Sequence, residues 1–161
     1  FAAEKWVQGP LFVCLHMEEL KHKIEQFLPE GVFLMDMNED PHRGLLRCFI
    51  DSEETISLDV TTTIAKSIRN SGLLNSIYPD GASLEVTTLG LSEPLTQPFQ
   101  YRKNVGRLMN LIYDKKGYRK HAEAELVGFK DSILFLKNEN KGHFQLALEN
   151  ILQAKIIVQF N

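Results

Sequence analysis

The stretch "SLEVTTLGLSEPL", Ser83–Leu95, decides how the chain divides. It opens as a strand, with Leu84 and Val86 on alternate positions. Gly90 and Pro94 then break it, as turn formers do. A basic and aromatic segment, "QPFQYRKNVGR", Gln97–Arg107, follows. The charge changes sign at the same place. Up to Leu91 the chain carries 7 Lys+Arg against 14 Asp+Glu, and from Ser92 onward 11 against 7. Opposite signs imply either that one half seeks an anionic partner or that the charges serve only solvation and mutual attraction.

Upstream, "MEELKHKIEQFL" places Leu20, Ile24, Phe27 and Leu28 on one helical stripe, ended by Pro29 and Gly31. "GVFLMDM" and "GLLRCFI" are strand-sized and apolar, and the turn formers between them predict a hairpin. Ser57 can cap a second helix with Leu58, Thr61, Ala65 and Ile68 on one face and Gly72 at its stop. With "SLEV" as a third strand, the order is α-β-β-α-β, a small α+β layer. Downstream, "QPFQYRKNVG" predicts one short helix. Five strand-sized pieces follow: "RLMNLIYD", "RKHAEAELVGF", "SILFLKN", "HFQLALE" and "AKIIVQF". Their close spacing predicts a small five-stranded barrel, since closure removes exposed edges. The expected parts are therefore an extension or disordered tail over 1–16, an α/β domain over 17–91 and a barrel over 92–161. Met17 is expected to lie near a natural start, because the helical pattern begins there.

The chain offers little for catalysis. Its 161 residues contain five histidines, none at metal-binding spacing, and no nucleophile elbow, phosphate-cradling lysine loop or Cys-x-x-Cys. No catalytic residue, metal or other cofactor is expected. Glu123 and Glu125 share one face of a strand, where a solvated outer face accounts for them. Cys14 and Cys48 form no framework, which fits a reducing cytosol. No apolar run reaches the roughly 18 residues of a membrane helix. What remains is cationic. Arg102, Lys103 and Arg107 flank the start of the barrel beside Phe99 and Tyr101. Lys115, Lys116, Arg119 and Lys120 crowd its first turn. Such residues hold phosphates and stack bases, although lysines at a hairpin tip also serve solubility.

The central segment resembles the signature of the ribosome maturation factor RimP family. The matching positions are Leu84, Glu85, Val86, Thr87, Thr88, Gly90, Leu91, Pro94, Leu95, Val105, Gly106 and Arg107. "LLRCFIDSEETISLDVTTTIAKSI" and "ALENILQAKIIVQF" are similar to flanking parts of that family. Leu89 stands where the family usually has proline, and Ser92 and Glu93 replace a common Asp-Arg pair. The resemblance implies an α/β domain followed by an Sm-like or SH3-like barrel, joined at Leu84, Glu85, Val86, Gly90, Leu91, Pro94 and Leu95. It implies a cytoplasmic, non-enzymatic factor that assists small-subunit assembly. Its partners would be the free small ribosomal subunit, its rRNA and a small-subunit ribosomal protein, with no membrane and no small-molecule substrate. Arg102, Lys103, Arg107, Arg119 and Lys120 are the expected contacts. The alternative is a general Sm-like RNA-binding or RNA-chaperone protein.

Overall fold

The computed structural model describes residues 10–40, 42–140 and 142–158, with residues 10–15 followed by their backbone only. The chain forms two compact units. One runs to Asp51 and resumes at Ile56–Thr88; the other combines Ser52–Thr55 with the chain from Leu89 onward.

The first unit opens with α1, Pro10–Glu25. This helix starts well before Met17. Proline suits a first turn because its missing N–H has no intrahelical partner there. Of the expected extension over 1–16, Pro10–His16 is therefore helical, and residues 1–9 lie outside the described residues. Leu20 and Ile24, one turn apart, are fully buried. They pack with a three-stranded sheet of order β1-β2-β3, built from β1 (Val32–Asp40), β2 (Leu45–Ser52) and β3 (Ser83–Thr88). β1 and β2 are adjacent and joined by residues 41–44, too few for a parallel crossover. β2 is the central strand, and its Leu46, Cys48 and Ile50 alternate into the core.

β3 pairs parallel to β2, with Leu46 opposite Leu84 and Cys48 opposite Val86. A parallel neighbour needs a crossover, and helices α2 (Leu58–Asn70) and α3 (Leu73–Ile77) supply it. Ser57 caps α2 by accepting from the Val60 N–H at 3.4 Å. The buried side chains of α2 are Ile64 and Ile68, with Val60 and Ala65 beside them. Leu58, expected on that face, is 81% exposed because it sits in the first turn, beyond the sheet-covering stripe.

The second unit begins with α4, Pro98–Lys103, and continues into a five-stranded antiparallel sheet of order β7-β6-β5-β4-β8. Its strands are β4 (Leu108–Lys115), β5 (Tyr118–Lys130), β6 (Ile133–Asn138), β7 (Gly142–Ala147) and β8 (Ile151–Ile156). β4 and β5 meet through Lys116-Gly117, and β5 and β6 through Asp131-Ser132. All four turn residues have positive φ, the hallmark of the two-residue type I′ hairpin whose twist matches its strands.

A closed barrel is not what forms. β7 and β8 end the sheet on opposite sides, and among the described residues no ladder joins them. The sheet is nevertheless rolled. A flat sheet would separate those strands by about 19 Å, four spacings of roughly 4.8 Å. The 3-10 turn Leu148–Asn150 that connects them spans only about 6 Å at roughly 2 Å per residue. Two bulges permit the bending. One inserts Val127 between Leu126 and Gly128, and the other inserts Leu152 opposite the Ile112–Tyr113 step. Both inserted residues are exposed, at 44% and 53%. Inside, Met109, Leu111, Leu126, Leu134, Leu136 and Ala154 form the core. Tyr101 of α4 stacks on Phe129 with centroids 5.5 Å apart.

The β5–β6 turn offers a direct test. Ser132 holds φ +60°, a left-handed conformation that costs a side-chain-bearing residue about 1 kcal/mol. Ser132→Gly is expected to stabilise the second unit by about 0.5–1 kcal/mol. Ser132→Val should destabilise it. Urea unfolding of the full-length variants measures both.

Candidate functional site

The cations around α4 are held by identifiable partners. Pro98 opens the helix, and the buried Gln100 accepts through Oε1 from the Thr96 and Gln97 N–H groups at 2.8 and 3.0 Å. This capping box fixes the helix start. At its other end, the buried Asn104 donates from Nδ2 to the Gln100 carbonyl at 2.7 Å. Arg102 and Lys103 fall in the last turn, where positive charge complements the helix dipole. Arg102 Nε donates to Glu53 Oε1 at 3.1 Å, and its terminal nitrogen makes a second, short bond to the same oxygen. Lys103 donates to the Ser52 carbonyl at 3.0 Å and lies 5.9 Å from the centre of the Phe99 ring. Segment Ser52–Thr55 thus belongs to the second unit through charged and polar contacts.

Arg107 follows in a turn fixed by its backbone. Gly106, at φ +89°, donates to the Leu126 carbonyl at 2.7 Å, and the Leu126 N–H donates to the Arg107 carbonyl at 2.9 Å. The Arg107 side chain is exposed beside the start of β4. Arg119 and Lys120 lie near the opposite end of the β4–β5 ladder, where Arg119 faces Asp114 and Lys120 faces Tyr113. From Leu108 to Asp114 the ladder runs about 20 Å at roughly 3.4 Å per residue. The five expected contacts therefore form two groups, one at each end of this ladder. Glu123 and Glu125 lie between them, opposite Asn110 and Leu108.

The junction residues also divide. Leu84 is buried in the first core, Val86 packs against it, and Glu85 accepts from Arg47 Nε at 2.8 Å, across the β2–β3 pair. Gly90–Glu93 forms a turn closed by the Glu93 N–H on the Gly90 carbonyl at 3.0 Å, with Leu91 exposed. Past Pro94, Leu95 packs against the second core and donates to the Ala154 carbonyl at 2.8 Å. The Tyr101 hydroxyl donates to the Leu95 carbonyl at 3.3 Å. Of the residues tied to these positions, Glu53 escaped the sequence reading. It lies 49 positions from Arg102, and no local pattern marks it.

Among the described residues, no group of three His, Cys, Asp or Glu side chains is arranged to hold a metal ion. Nor is any helix among them long and apolar enough to cross a membrane. Cys48 is a poor nucleophile, because burial raises its thiol to about 12.

No family model matches the chain. The ribosome maturation factor RimP of Christiangramia forsetii is 34% identical to it over 101 residues. The match covers 57% of this chain and 61% of that protein, so the chain spans under two thirds of the relative's length.

The raised thiol makes an alkaline prediction with a defined sign. A folded-state value of about 12 against an ordinary 9.0 means the contribution is fully present below pH 9 and is lost as pH rises towards 12. Stability should fall across that window, and Cys48→Ala should lessen the fall. Mass-spectrometric mapping should find Cys48 unalkylated by iodoacetamide in the native protein at pH 8 and alkylated in urea.

Proposed function

We propose that the chain is a ribosome maturation factor that assists assembly of the small ribosomal subunit in the cytoplasm, by binding rather than catalysis. One observation carries this reading: 34% identity over 101 residues to a protein named ribosome maturation factor RimP. The resemblance of the central motif from Leu84 to Arg107 agrees with it. In this reading the second unit is an Sm-like barrel variant, whose rolled five-stranded sheet is the feature that favours it. Its partners are the free small subunit, small-subunit rRNA and a small-subunit ribosomal protein.

The cations then act in two groups. Arg107, with Arg102 and Lys103, meets rRNA phosphates at one end of the β4–β5 ladder, and Arg119 and Lys120 meet them at the other. Phosphate contacts position a protein without reading base sequence. At Arg102 a phosphate replaces the Glu53 carboxylate, so that arginine contributes less than an unpaired one would.

Sedimentation tests the role. Tagged full-length protein should travel with free small subunits and not with translating ribosomes. Distribution over RNAs without preference for free small subunits would favour a general RNA chaperone instead. For the contacts, Arg102→Ala, Lys103→Ala and Arg107→Ala together should flatten the slope of log affinity against log salt by about 2, at roughly 0.7 to 0.9 per phosphate. A folded triple variant with unchanged affinity and slope would exclude this surface.

A further inference from the structure

β5 is longer than either of its neighbours can cover. β4 pairs with Tyr118–Glu125, whereas β6 pairs only with Glu125–Lys130. Tyr118–Ala124 therefore has one edge without a partner strand among the described residues. Which backbone groups occupy that edge follows from alternation. Both backbone groups of Leu126 bond to the Gly106–Arg107 segment, on the β4 side. In an antiparallel strand, residues two apart point their N–H and C=O groups the same way. Residues 118, 120, 122 and 124 thus face β4, while Arg119, His121 and Glu123 face the open side. The Glu123 carbonyl agrees, since it accepts from Asn138 Nδ2 across the gap. The open edge consists of the Glu123 N–H and both backbone groups of His121 and Arg119.

The edge borders a groove of about 620 Å³ between β5 and the β6–β7 turn. Leu108, His121, Glu123, Glu125, Lys137 and Glu139 are among its lining residues. Three carboxylates thus meet one lysine in a unit whose overall balance is positive. Arg119, farther along the edge, sits opposite Asp114.

We infer that this edge is a strand-addition site for an extended, basic peptide segment of a partner protein. Unpaired strand edges recruit extended chains through backbone hydrogen bonds, and neighbouring side chains select among them. The selection here is electrostatic. Glu123, Glu125 and Glu139 attract lysine or arginine side chains on alternate positions of the incoming strand. They repel the phosphates of RNA. The site shares Arg119 with the proposed phosphate contacts, yet the two readings are tested separately: failure in sedimentation leaves it standing, and failure of peptide binding leaves that role standing.

The test uses the full chain and three fluorescent probes: an alternating Val-Lys peptide, an alternating Val-Glu peptide and a single-stranded RNA oligonucleotide. Only the Val-Lys peptide should bind at this edge, slowing amide exchange of Arg119, His121 and Glu123. Glu123→Lys with Glu139→Lys should weaken its binding by more than about tenfold. His121→Pro removes a donor on the open side and spares the β4 ladder, so it should also weaken binding. If that proline variant unfolds, the charge-reversed variant still decides the matter. Equal binding of the Val-Glu peptide, RNA protection of the same three amides, or Val-Lys binding without protection of them would each overturn the inference. So would failure of the Val-Lys peptide to bind.

Discussion

The second unit depends on one strand changing partners partway along its length. β5 runs for 13 residues, paired with β4 in its first part and with β6 in its second. The exchange falls at Glu125, next to the bulge that inserts Val127. A bulge bends its strand and sharpens the local twist, so the change of partner and the rolling of the sheet occur together. Backbone bonds from Leu126 to Gly106 and Arg107 then set the entry to β4 beside the same point. The placement of Arg107 at one end and Arg119 at the other follows from this strand.

The sequence was most legible where burial imposes a simple period. "LLRCFI" alternates because β2 is central and each second side chain enters the core. Ser57 was legible as a cap because its hydroxyl acts within one turn of its own position. The turns at Lys116-Gly117 and Asp131-Ser132 were located, although only the first carries a glycine to signal its left-handed backbone. Leu58 misled because an apolar residue in a first turn satisfies helical spacing without reaching the sheet. Helix α3 went unread because five residues are too few for a period to emerge. "HFQLALE" concealed the end of β7, since the 3-10 turn starting at Leu148 continues its apolar pattern while leaving the ladder.

The candidate contacts were legible as residue types and not as an arrangement. A count along the chain makes the second half positive, but a count has no geometry. Folding places Asp114 opposite Arg119, brings Glu53 against Arg102 and gathers three carboxylates along one groove. The half-exposed Arg102–Glu53 pair contributes little to stability in water. Its greater effect is to orient the guanidinium. The hydrogen bond from Lys103 to a carbonyl has a similar effect on a longer, more flexible side chain.

The two short β-turns have a consequence for the order of folding. β4, β5 and β6 follow one another with two residues in each connection, so their pairings are local in the chain. Local pairings close small loops and form early. β8 is different: it pairs with β4 across the whole intervening meander. That ladder must wait for a long loop to close. Until it does, one edge of β4 stands open beside Met109 and Leu111, residues that are fully buried in the finished core. A nascent chain would pass through a four-stranded stage with exposed apolar surface, and the arrival of Ala154 and Ile156 would end its exposure to aggregation.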